Sequence, residues 1–217
     1  MTLMTIMVNV TALNKHDKVI RMTTSRVVGI VLAAGRGSRF ADADPTAPPK
    51  MLAPVDGAPM VRRTVESLMN GGVAHCVVVV SSDGSAAIEQ ALQGLPVTLV
   101  VNPDPSRGMF SSVQCGVMAT TPSDVCVLLP GDMPFVQPSS IAAVIAAAHG
   151  GTHTVTPSLD GHRGHPVVCA TALRDHILAA PAGTRLDHLM EQAPVLSVEV
   201  LDVGVRRDVD RPIAPSD

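Results

Sequence analysis

From residue 26 onward, short apolar runs alternate with segments of helical spacing. Arg26 to Ala33 (RVVGIVLA) predicts a buried strand that runs straight into glycines. Pro59 to Asn70 predicts a helix stopped by Gly71-Gly72, because glycine ends helices well. Cys76 to Ser81 predicts a second strand, 84 to 93 a helix, and Pro96 to Val101 a third strand. Gly108 to Ala119 has helical spacing, Asp124 to Leu129 predicts a fourth strand, and Ser139 to His149 an Ala-rich helix. This alternation is the pattern of βαβ units on a parallel sheet. After Gly150-Gly151 it loosens into short strands near 152–157 and 166–170, helices near 171–180 and 185–192, and a late strand near 195–201. The reading is one α/β domain over 25–217, with a Rossmann-like core and an irregular C-terminal third.

Composition supports a packed core and narrows the chemistry. Hydrophobic residues make up 46% and charged residues 16% of the 217, which predicts folding rather than disorder. With no Trp, no Tyr and three Phe, the core is built from aliphatic side chains, as suits strands covered on both faces. A net charge of −3 and the scarcity of aromatics leave no footprint for nucleic acid. Cys76, Cys115, Cys126 and Cys169 are widely spaced, so buried free thiols of a cytoplasmic protein are expected rather than disulfides or a zinc site. No apolar stretch is long enough for a membrane span, and no signal peptide is evident. Residues 1–24 read as an extension, disordered or foreign to the native chain, with Met22 as an alternative start.

In open parallel sheets, ligands bind beyond the carboxyl ends of the strands. Three loops lie there. The first, Ala34-Gly35-Arg36-Gly37-Ser38-Arg39, is either a tight turn or a phosphate cradle; its spacing matches neither the dinucleotide nor the Walker pattern. Lys50 follows in a charge-poor stretch, as a mobile point charge suited to phosphate. The second loop runs from Asn102 through Gly108 to Ser111 and Ser112, where serines at a helix start either cap it or meet an anion or a base edge. The third, Pro130-Gly131-Asp132-Met133-Pro134, pins a carboxylate at the ligand edge, suited to magnesium. Asp208 and Asp210 form a second carboxylate pair, and spacing alone does not choose between them. His162 and His165 in GHRGHP lack zinc-ligand companions and predict a polar substrate loop. Phe40, Phe110 and Phe135 each follow one ligand-edge motif, as an apolar wall for a ring or as hinge packing.

LAAGRGSR, PPKML, SRGMFSSVQCG, PGDMP, GHRGHPV and DVDRP run in order from 31 to 212. Together they resemble the nucleotidyltransferases that complete molybdenum cofactor, and among them the molybdenum cofactor cytidylyltransferases. The resemblance implies a three-layer α/β/α nucleotidyltransferase fold with a mostly parallel sheet. It implies that Leu32, Ala33, Ala34, Gly35, Arg36, Gly37, Ser38, Arg39 and Lys50 hold a nucleotide triphosphate. Ser81, Asn102, Gly108, Ser111, Ser112, Gly131 and Asp132 complete that site. By the same resemblance Asp132 would bind Mg2+ with Asp208 or Asp210, and Arg39, Lys50 and Asp132 would be the catalytic set. It further implies that Arg163, Gly164, His165 and Pro166 face a phosphorylated pterin, with a molybdoenzyme or its maturation factor as an expected partner. Ala34, where guanylyl relatives carry glycine, points to CTP.

The chain departs from the family pattern in three places. The link from Phe40 to Pro49 is long, which leaves the loop holding Lys50 floppy or reshaped. Phe40-Ala41 replaces the usual glycine, and 182–185 lacks the family's acid. The alternatives are an NADPH oxidoreductase on the same fold, a non-catalytic nucleotide-binding partner, or a transferase using GTP or another acceptor.

Overall fold

The computed structural model describes residues 26–213 apart from 123 and 193. The expected extension at 1–24 therefore lies outside the described residues. The strands are β1 (Val27–Leu32), β2 (Pro54–Val55), β3 (Ala58–Pro59), β4 (His75–Val80), β5 (Val97–Val101) and β6 (Val125–Pro130). They continue as β7 (Thr154–Leu159), β8 (His162–Arg163), β9 (Val167–Cys169) and β10 (Val195–Glu199). The helices are α1 (Ser38–Ala43), α2 (Met60–Asn70), α3 (Ser85–Ala91), α4 (Met109–Met118), α5 (Pro138–Ala147), α6 (Thr171–Ala179) and α7 (Leu186–Glu191).

The main sheet runs β10-β7-β9-β6-β1-β4-β5, with β8 paired to β7, while β2 and β3 form a separate hairpin. β6, β1, β4 and β5 are mutually parallel, as are β7 and β10. β9 alone among these long-path strands runs against its neighbours. The expected mostly parallel α/β sheet is therefore present. The C-terminal third is more regular than its sequence suggested: its strands extend the same sheet. The three-residue β9 is buried throughout, so its apolar pattern carries no signal of direction.

Alternation along the strands divides the core between two faces. Val31, Val78, Val80, Val127 and Leu129 pack with α2, α3 and α5. Val28, Ile30, Val77, Val79 and Leu128 pack with α4, α6 and α7. The layers fix the carboxyl ends of β1, β4, β5 and β6 side by side, which is where the chemistry gathers. Cys76, Cys126 and Cys169 are buried, Cys115 is half-buried, and all four are free thiols. Burial pushes the Cys76 thiol up to about 12.

The long link is reshaped rather than loose. Gly37 takes a left-handed φ of 61° and starts α1, whose Phe40 is buried. Asp44 then accepts from the Thr46 amide at 2.9 Å, and a short 3-10 turn at Lys50–Leu52 delivers the lysine.

Candidate active site

Four pieces of chain converge on one cavity of about 180 Å3. Leu32, Ala34, Gly35 and Gly37 come from the loop after β1, and Lys50 and Met51 from the 3-10 turn. Gly108, Met109 and Ser112 come from the start of α4, and Pro130 and Asp132 from the loop after β6. The amide end of α4 thus opens on the cavity, an arrangement that favours anions.

The remaining expected residues stand around this set. Ala33 and Gly131 are buried behind the lining, and the Gly131 amide donates to the Leu32 carbonyl at 2.9 Å. Asn102 is buried and donates to the Ser111 and Ser112 hydroxyls at 2.8 and 2.9 Å. Ser111 donates in turn to the Gly108 carbonyl at 2.7 Å, so Asn102 and Ser111 shape the loop, while Ser112 reaches the cavity. Arg36, Ser38 and Arg39 are exposed on the outer side, and Ser81 is half-buried at the end of β4.

Lys50 is the electrostatic centre. Its side chain is 10% exposed, and its Nζ donates to Asp132 Oδ2 at 2.7 Å and to Asp210 Oδ1 at 3.0 Å. Arg39 Nη1 reaches the other Asp210 oxygen at 3.2 Å. Burial pulls the Lys50 ammonium down, but hydrogen bonds and charge from Asp132 and Asp210 outweigh it and leave the group above the ordinary lysine value. The Lys50 bond holds the Asp210 carboxyl below the usual carboxylate range, and Arg39 adds to it.

Spacing could not choose between Asp208 and Asp210, and the fold brings in both. The Val209 amide donates to the Asp132 carbonyl at 2.9 Å, and the Val209 side chain is buried in a cluster with Phe40, Val55 and Met60. Alternation around that anchor turns the flanking aspartates towards Asp132. Asp132, Asp208 and Asp210 each offer an oxygen within 4.8 Å of the others, close enough to share one cation. Hard carboxylate oxygens suit Mg2+.

A second cavity of about 590 Å3 adjoins the first through Gly108 and Met109. Arg163, Gly164 and His165 line it; Pro166 is buried beside them, outside its lining, and His162 is exposed. The GHRGHP loop is tied to β7 by Gly164 and to the C-terminal segment by His165. The Gly164 amide donates to the Pro157 carbonyl and the His165 amide to the Val205 carbonyl, both at 2.8 Å. Burial pulls the His165 imidazole below its ordinary value against the opposing charges of Asp132 and Asp208.

A Cβ on Gly164 would stand 2.4 Å from the Val205 carbonyl oxygen. Gly164→Ala is therefore expected to destabilise the protein by about 1–3 kcal/mol, the range for overpacking. A denaturant midpoint equal to that of the wild type would show the tie to be dispensable.

The aromatic wall does not form. Phe40 is buried beneath the first loop, and Phe135 packs beside it under the Arg207 guanidinium at 4.1 Å. Only Phe110 of the three lines the second cavity. Sequence reasoning missed Met109, which lines both cavities while 64% exposed. It also missed Asp202, which receives the Gln137 and Gly204 amides at 2.8 Å each and so clamps the C-terminal segment. Neither residue lies in a pattern that marks it.

Residues 29–197 match the MobA-like NTP transferase domain. The chain belongs to that family. It is 30% identical over 183 residues to a probable molybdenum cofactor guanylyltransferase of Haloferax mediterranei, covering 80% of each chain. It is 29% identical over 195 residues to a nicotine blue oxidoreductase of Paenarthrobacter nicotinovorans, covering 85% of this chain and 92% of that one. Rv0371c of Mycobacterium tuberculosis shares the fold, with a TM-score of 0.72 at 22% identity, over 87% of this chain and 95% of that one. As a MobA-like NTP transferase, the chain has nucleotidyl transfer as its class of chemistry. No helix among the described residues is long and apolar enough to cross a membrane.

Proposed function

We propose that the chain transfers the cytidylyl group of CTP to the terminal phosphate of molybdenum cofactor in the cytoplasm. The observation that carries this reading is the pair of adjoining cavities. One is lined by a glycine loop, Lys50, Ser112 and Asp132; the other, beyond Gly108 and Met109, is lined by arginines and apolar side chains. An acceptor phosphate oxygen at the shared wall attacks the α-phosphorus of CTP. The new P–O bond forms as the bond to the β-phosphate oxygen breaks, and pyrophosphate leaves.

Phosphoryl chemistry of this kind needs positioning and charge neutralisation more than covalent help. Asp132, Asp208 and Asp210 would hold Mg2+, which would supply neutralising charge to the triphosphate. Lys50, which here bridges Asp132 and Asp210, turns from these carboxylates to supply its charge to a phosphate oxygen. Arg39 contributes a second positive charge at the rim, and the α4 N-terminus and the Ser112 hydroxyl orient the leaving phosphates.

CTP is preferred on Ala34, which lines the cavity at the position where the resembled guanylyl relatives carry glycine. The relative named as a guanylyltransferase favours GTP as the second reading. Incubation with each NTP, Mg2+ and molybdenum cofactor separates them by pyrophosphate release. CTP is expected to exceed GTP by at least about tenfold in kcat/KM, in the range a single group in a pocket can supply. Equal or reversed preference overturns the cytidylyl assignment, and NADPH oxidation without pyrophosphate overturns the transferase reading.

A further inference from the structure

The larger cavity has a polar feature that the reaction above does not use. Its walls are largely apolar, formed by Met109, Phe110, Val113, Val167 and Met190, while Arg107, Arg163 and the Arg185–Asp187 ion pair stand in its lining. Two buried side-chain atoms among the described residues have no hydrogen-bond partner: Thr156 Oγ1 and His165 Nδ1. Both residues line this one cavity. Thr156 lies in the middle of β7 and is 1% exposed. Native proteins pair nearly all such atoms, and an unpaired one is destabilising. Two of them on residues that line the same space therefore point to a ligand that supplies the missing partners.

We propose that Thr156 and His165 form a polar floor that reads the edge of a planar nitrogen heterocycle in the acceptor, with Thr156 as a specificity-determining residue. The apolar walls take the faces of such a ring and leave only its edge to be satisfied. A threonine hydroxyl both donates and accepts, and an imidazole nitrogen does one or the other, which matches the alternating donors and acceptors of a pterin edge. Arg107 and Arg163 suit the anionic part of the same molecule. The inference rests on the acceptor reading above and adds to it the atoms that recognise the ring.

The test uses the full chain and 6-hydroxymethylpterin, followed by the probe's own fluorescence. Thr156→Val keeps the shape and removes the hydroxyl, whereas Thr156→Ser keeps the hydroxyl. The valine variant is expected to bind the pterin about tenfold more weakly, the loss of one hydrogen bond, and the serine variant within about threefold of the wild type. CTP affinity should stay unchanged in both. Without ligand, the valine variant should melt at or above the wild-type temperature, because it removes an unpaired hydroxyl. A merely structural hydroxyl would lower that temperature, and such a result overturns the proposal. So does unchanged pterin affinity in the valine variant, an equal loss in both variants, or no pterin binding by the wild type. A wild type that binds pterin through Thr156 but releases no pyrophosphate from any NTP sinks the transfer reading and leaves this one standing.

Discussion

Asp132→Asn is expected to lower turnover by about 100-fold or more, the usual loss for one strong electrostatic group in a preorganised site. Asp132 joins three functions. Its carboxylate receives Lys50, it stands within 4.8 Å of the Asp208 and Asp210 oxygens, and its backbone carbonyl receives the Val209 amide. Asparagine preserves the last of these and the side-chain shape. The fold and the docking of the C-terminal segment should therefore survive, with a melting temperature within a few degrees of wild type. Cation binding should weaken, since a neutral carbonyl oxygen replaces a charged one among three donors. Steady-state pyrophosphate release and Mn2+ titration together check the prediction. Turnover within about threefold of wild type would remove Asp132 from the catalytic set.

What the sequence disclosed and what it hid follow from how local each feature is. The buried strands were legible because RVVGIVLA and CVVVVS are apolar on both faces, which few other elements tolerate. Asp132 was legible because a carboxylate after such a strand falls at the ligand edge by topology alone. The fate of the long link was not legible. Phe40 is buried in a cluster that Val209, arriving from the far end of the chain, helps to complete. The same event bears on Asp208 and Asp210, since a buried Val209 between them leaves both beside Asp132. Thr156 was invisible for the opposite reason. A threonine in TVTPSL is an ordinary strand residue, and only the tertiary packing leaves its hydroxyl unpaired beside a cavity.

Replacement of Lys50 by methionine is expected to separate catalysis from cation binding. Turnover should fall by about 100-fold or more, because among the described residues the other cation on these carboxylates is the exposed Arg39. Divalent affinity should move the other way. In the structure the Lys50 ammonium sits between Asp132 and Asp210 at 2.7 and 3.0 Å and so occupies the space a shared cation needs. Removing it leaves carboxylates within 4.8 Å of one another, with Arg39 as the nearest compensating charge on Asp210. Like charges at that separation repel, and a divalent cation relieves the repulsion. Asp210 is 43% exposed, so solvent screens much of the gain. The expected tightening for Mn2+ is accordingly modest, about tenfold. Methionine keeps most of the aliphatic stem that packs beside Gly37, where a built Cβ lies 3.0 Å from the Lys50 Cβ. The 3-10 turn should therefore stay in place, which a thermal melt checks. If Mn2+ binds more weakly to the variant than to the wild type, the lysine gathers the carboxylates rather than competing with the metal. Its transfer from carboxylate to phosphate during the reaction would then be wrong.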